Sequence, residues 1–134
     1  MAKKRLSIIV AIFAGMMLLF NSCTKVSENF IIGKWEVISY QFTFYDEDGW
    51  METMYTEYEK ITISFRSNGS YSRLDVDIYG DSDYEQGTWN YIEDWQKLKF
   101  SEVLWDVYRH KNKEMELRYE GPNDAAKMYL KKIE

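Results

Sequence analysis

The chain has one cysteine, one histidine and one proline among its 134 residues. Each scarcity excludes something. A single thiol, Cys23, cannot form a disulfide within the chain, so stability has to come from burial alone. One histidine with no second cysteine leaves no zinc site of ordinary spacing. His110 lies in "YRHKNK" and is expected to be a solvated residue of a polar turn. The seven glycines are scattered, and none belongs to a phosphate-cradling loop. No run of five like charges occurs, so there is neither a basic footprint for nucleic acid nor a polybasic face for anionic lipid. Ser64, Ser70 and Ser101 lack the context of a nucleophile elbow. No catalytic residue, metal ligand or cofactor is expected, and the chain is not expected to be an enzyme.

Long apolar runs are also scarce. The one that exists, Leu6 to Phe20, follows Lys3, Lys4 and Arg5 and carries no charge over fifteen residues. A bilayer-spanning helix needs roughly 20 apolar residues, so this run is short for a span. It has the charged start and apolar centre of a secretory signal. Its end, Phe20-Asn21-Ser22-Cys23, resembles the lipobox of bacterial lipoprotein signals, in which a small residue precedes the cysteine and a large apolar one lies three positions before it. The resemblance implies cleavage between Ser22 and Cys23, and a membrane anchor through lipid on Cys23. An uncleaved anchor with a bystander cysteine would tether the body as well. Thr24 follows the cysteine, and the absence of an acidic residue there implies the outer membrane, on its periplasmic or surface face. The expected organisation is a signal peptide over 1–22, a lipidated tether over 23–30 and one domain over 31–134. Loss of the signal lowers the 17 basic residues to 14 against 22 acidic ones, so the domain is markedly acidic.

Aromatic residues are abundant: 5 Trp, 11 Tyr and 7 Phe. With repeated short alternations they point to strands. "GKWEVISYQFTFY" places Trp35 and Val37 on one face and Ile38, Tyr40, Phe42 and Phe44 on the other, which predicts a bulge near Ser39 or a strand buried on both sides. Residues 50–58 suit a short helix or a return strand, with the strand favoured by the preceding Asp48-Gly49. "KITISFRSNGSYS" predicts a hairpin with its tight turn at Asn68-Gly69. In the returning strand Leu74, Val76 and Ile78 share a face. "DVDIYGDSDYE" is an acidic cluster whose spacing fails a calcium loop, and it reads as a turn plus the solvent face of a strand. Further strands are expected around Trp89 and Tyr91, in "KLKF", and in the alternations ending with Val103-Trp105-Val107, Met115-Leu117-Tyr119 and Ala126-Met128-Leu130. Successive strands with short turns predict an antiparallel meander that closes on itself.

Gly33-Lys34-Trp35 matches the Gly-x-Trp of lipocalins. The order that follows, "ITISFRSNGSYS", "GTWNY", "KLKF" and "VLWDV", resembles small bacterial lipocalin-like lipoproteins over most of residues 31–133. The resemblance implies an all-β, antiparallel, up-and-down lipocalin-like barrel of about eight strands after the signal peptide. It implies that Trp35 plugs one end and that Gly33 leaves room for the chain to cross beneath. A late arginine would pair with the tryptophan, and Arg109 and Arg118 are both candidates. Phe65, Trp89 and Trp105 fall on the inward phase and are the candidate ligand-lining residues, although so many rings also suit a filled core. Trp50 and Trp95, at turns, would cap the barrel ends or stack on sugars, capping being the commoner role. Two functions are therefore expected: a non-enzymatic binder of a small apolar or amphipathic molecule, or a solid-core module that docks an envelope protein or glycan.

Overall fold

The computed structural model describes residues 25–49, 51–55 and 58–134, with 51–55, 58 and 59 as backbone only. The expected signal segment, Cys23 and Trp50 lie outside the described residues. A four-residue helix, α1 (Glu28–Ile31), precedes ten strands: β1 (Gly33–Tyr45), β2 (Met51–Tyr55), β3 (Tyr58–Phe65), β4 (Ser70–Asp77), β5 (Ser82–Thr88), β6 (Asn90–Ile92), β7 (Lys97–Phe100), β8 (Val103–Lys111), β9 (Glu114–Glu120) and β10 (Asp124–Lys132). They form one antiparallel sheet in the order β5-β4-β3-β1-β10-β9-β8-β7-β6, with β2 paired to β1.

Two of the ten strands are continuations of others. β2 and β3 follow one another along the same edge of β1, β3 against Gly33–Glu36 and β2 against Gln41–Tyr45. β5 and β6 run in one direction and are separated only by Trp89. β5 pairs with β4, whereas β6 pairs with β7 at the other end of the sheet. The run Ser82–Ile92 thus joins both ends of the sheet. The result is an almost closed barrel of eight chain runs; among the described residues no backbone ladder joins β5 to β7, and β2 is paired on its β1 side alone.

The change of face in β1 is a bulge. Register steps from Val37 opposite Leu130 to Ser39 opposite Tyr129, so Ile38 is the extra residue, and it is 55% exposed. The bulge resets the alternation. Trp35 and Val37 before it, and Tyr40 and Phe42 after it, therefore all pack on the core.

In β4 the face shared by Leu74 and Val76 turns outward. Leu74 is 40% exposed, and Ile78, just beyond the strand, is 66% exposed, while Tyr71 and Asp75 are buried. The cause is register. Phe65, Ile63 and Ile61 face inward on β3, and their partners Tyr71, Arg73 and Asp75 share that face. The inward charges are tolerable because Arg73 Nε donates to Asp75 Oδ1 at 2.8 Å. The β3–β4 turn also differs. Arg66 N donates to Ser70 O, so the loop spans Arg66–Gly69, and only Gly69 of the expected pair has positive φ.

The floor of the barrel is built from both chain ends. The sequence reading assigns residues 23–30 to a tether, yet Val26 and Phe30 are buried under the barrel. Apolar side chains this close to an open barrel end are more stable covering it than exposed to water. Tyr91 Oη donates to Val26 O at 2.7 Å and holds this segment in place. Burial, with the Glu93 charge second, pushes the Tyr91 phenol up to about 12. Trp35 is fully buried, and its indole N–H donates to Ile31 O at 2.8 Å. Gly33 has a φ of +144°, and a Cβ there would meet the backbone oxygen of Glu134 at 2.6 Å. The C-terminal residues are what cross beneath.

Candidate functional site

Among the described residues, aromatic side chains pack against one another across the interior. Phe65 meets Trp89 edge to face at 5.6 Å and Phe100 at 5.1 Å. Phe100 stacks on Trp105 at 6.0 Å, and Trp105 meets Tyr119 at 6.3 Å. Trp105 carries an anomaly: its buried indole N–H has no hydrogen-bond partner.

Neither candidate arginine pairs with Trp35. Arg109 lies over the Phe30 ring at 4.4 Å, and Arg118 lies on the outer wall over Tyr108 at 4.4 Å. The cation above Trp35 is Lys132, whose Nζ is 5.0 Å from the ring centroid and donates to Phe30 O at 2.6 Å. Burial pulls the Lys132 ammonium below its usual pKa, with Arg109 and Lys113 adding to the effect.

The interruption in the wall is a cleft of about 640 Å³, lined by Tyr71, Glu85, Trp89, Lys99, Phe100 and Ser101, together with Gln86, Gly87, Thr88, Asn90 and Glu102. Its volume lies within the roughly 300–1,000 Å³ of small-molecule sites. Local sequence explains each wall. Trp89 is pinned to the β3–β4 loop by its indole N–H to Arg66 O at 2.8 Å and its backbone N–H to Gly69 O at 2.9 Å. This anchor lies where the chain leaves β4 and joins β7. Gly87 is a close approach: a Cβ there would lie 2.9 Å from Cε1 of Tyr71. The glycine seats the Tyr71 ring flat against β5.

Glu85 is fixed from two sides. Tyr71 Oη donates to its Oε1 at 2.9 Å and Ser101 Oγ to the same atom at 2.5 Å. None of the described hydrogen bonds uses Oε2. The Tyr71 phenol is raised, chiefly by burial and then by this bond to Glu85. Ser101 is delivered by a two-residue turn closed by the Phe100–Val103 pair. Its φ is 52° and that of Glu102 is 63°. Two consecutive left-handed residues other than glycine are strained, by roughly 1–3 kcal/mol each.

Of the three sequence-derived lining residues, Trp89 borders the cleft. Phe65 and Trp105 lie behind it, in contact with Trp89 and Phe100. Tyr71, Glu85, Phe100 and Ser101 had no such assignment. Glu85 sat at the end of an acidic cluster, and Ser101 lacked any motif.

A second polar cluster occupies the outer wall of β8–β10. The expected loop histidine, His110, is instead on β8, with Nε2 2.8 Å from Glu116 Oε2. The turn is shorter than the polar run suggested, so His110 stays in the ladder. Arg118 Nε donates to Glu116 Oε1 at 2.8 Å, and Lys127 Nζ lies 3.7 Å from it. These cations, the Arg118 bond first, hold the Glu116 carboxyl down to about 2. Beside the cluster is a groove of about 420 Å³ bordered by Gln41, Asp106, Tyr108, Arg118, Glu120 and Lys127. Trp95, expected as a cap, is 71% exposed in the short 3-10 turn Glu93–Trp95. The buried floor segment leaves it nothing to cover. Among the described residues no three His, Cys, Asp or Glu side chains converge on a metal site.

No family model and no curated protein matches the chain. A solved structure does, a lipocalin-like protein from Bacteroides uniformis ATCC 8492, at a TM-score of 0.51 and 17% identity, over 78% of this chain and 99% of that one. The fold is lipocalin-like. At this identity the likeness extends to architecture alone.

Proposed function

We propose that this chain is a lipid-anchored bacterial envelope protein whose lipocalin-like barrel binds a small apolar or amphipathic molecule without turning it over. The observation that carries this reading is the seam cleft, which brings three aromatic side chains and one fixed carboxylate together where no ladder joins β5 to β7. In ligand sites a few placed polar groups fix the orientation of the bound molecule.

The envelope assignment draws support from the floor. Thr24 and Lys25 alone separate Cys23 from the buried Val26. Lipid on Cys23 would hold the floor at the membrane, and two or more acyl chains would make that attachment stable. The exposed Trp95 belongs to the same end, since its neighbour Asp94 lies 3.6 Å from Lys25. Tryptophan is favoured at the membrane interface. The outer membrane is the proposed location.

Native mass spectrometry of the full-length protein, extracted gently from a bacterial host, tests the reading. A bound species of defined mass, released on unfolding, is expected. A bare protein from every host and extract tried would contradict it. The outer-wall groove favours a second reading, a module that docks an envelope protein or glycan, because Tyr108 and planar polar groups border it. Retention on an immobilised envelope glycan, lost on Tyr108→Ala, would favour that reading instead.

A further inference from the structure

We infer that the seam cleft selects organic cations, an amine or ammonium attached to an apolar body, with Glu85 as the counter-charge. The inference rests on the binder reading above and specifies its ligand. Three independent features lead to it.

The first is the carboxylate itself. Both donors to Glu85 fall on Oε1, so the carboxylate is oriented while Oε2 retains its acceptor capacity. A preoriented carboxylate offers a charge-assisted bond to an N–H donor without reorganisation. The second is the wall. Tyr71, Trp89 and Phe100 border the cleft that holds the carboxylate, and a cation within about 6 Å of such a ring is attracted by it. The rings are buried, and the small edge each leaves at the cleft would meet the apolar body. The third is the charge balance. Glu85 and Glu102 border the cleft against one cation, Lys99. Arg73 is opposite Glu85 across β4 and β5 and its charge reaches Glu85, but the Asp75 carboxylate paired to its Nε offsets that charge. An anion would therefore meet two carboxylates, whereas a cation would meet one lysine.

The strained turn fits this arrangement. Left-handed backbone at Ser101 and Glu102 puts one side chain on Glu85 and the other at the rim. A relaxed turn of different shape would leave Glu85 held by Tyr71 alone.

The test uses three probes of equal chain length, hexylammonium, 1-hexanol and hexanoate. Each is titrated by calorimetry into the full-length protein in lipid nanodiscs, with empty nanodiscs as the blank. Hexylammonium is expected to bind at least about tenfold more tightly than hexanol, a difference near 1.4 kcal/mol. Glu85→Gln keeps an acceptor for Tyr71 and Ser101 and should erase that preference while hexanol binding persists. The wild-type comparison of probes stands even if this variant proves unstable. Equal affinity for hexylammonium and hexanol would overturn the cation assignment and leave the binder reading in place. Preference for hexanoate, lost in Lys99→Ala, would overturn it in favour of an anion. Failure of all three probes to bind would overturn both readings.

Discussion

Ser101 donates its hydroxyl to Glu85 across the seam where no backbone ladder joins β5 to β7, at 2.5 Å. This contact ties β5 to the β7–β8 turn, whose two central residues are left-handed as a tight two-residue hairpin turn requires. The opening is therefore a held geometry rather than a frayed edge.

The turn can be tested from both sides. Glu102→Gly should relieve one left-handed residue and stabilise the protein by about 1 kcal/mol. Ser101→Ala should lose the latch and cost about 1 kcal/mol. Urea unfolding midpoints measure both. Amide exchange should also quicken in β5 for Ser101→Ala, and unchanged exchange there would mean that the latch carries no load.

The two buried indoles should respond differently to the same change. Trp35 donates to Ile31 O, whereas the Trp105 N–H is buried without a partner. Trp35→Phe removes a bond and leaves a carbonyl short of a donor, and Trp105→Phe removes an unsatisfied donor. Both shrink the core, but Trp35→Phe should cost about 1–2 kcal/mol more. Equal losses in chemical denaturation would contradict the assignment of these N–H groups.

Acid should weaken the outer wall. The Glu116 carboxyl drops from an ordinary value of 4.5 to about 2 in the folded protein. A depressed carboxylate contributes stability that is complete above the unfolded pKa. That stability is lost as pH falls from about 4.5 toward 2. The contribution should be of order 1–3 kcal/mol, since the partners of Glu116 are partly exposed. Glu116→Gln should be less stable at pH 7 and should flatten the stability profile between pH 5 and pH 2, as followed by thermal unfolding across that range.

The anchor is a chemical prediction. Cys23→Ser should leave an unprocessed, heavier precursor and abolish incorporation of labelled fatty acid. Labelling that persists in the variant would remove the envelope reading and leave the barrel reading untouched.

Much of the barrel was legible because alternation and register agree. β1 spans the stretch from Gly33 to Tyr45 that the pattern predicts, and the bulge falls at Ile38, beside the change of face. The strands ending in Trp105-Val107, Met115-Leu117 and Met128-Leu130 bury those residues. For β4 the alternation told which residues share a face but not which way that face turns. Leu74 and Val76 turn outward because three inward side chains on β3 set the register. The floor segment failed because seven mixed residues carry too few apolar positions to show a period, and α1 is only four residues long. The cleft was illegible for a different reason. Glu85, Tyr71 and Ser101 are brought together by closure of the barrel, and no local pattern records a contact between β5 and a turn sixteen residues later.

The central claim is that a ligand enters at the seam rather than through the barrel. Indole ¹H–¹⁵N resonances followed during titration with 1-hexanol test it most directly, because Trp89 borders the cleft while Trp35 seals the floor. The account predicts that the Trp89 resonance moves first and furthest and that Trp35 stays still. Movement of Trp35 or of the exposed Trp95, with Trp89 unmoved, would contradict it.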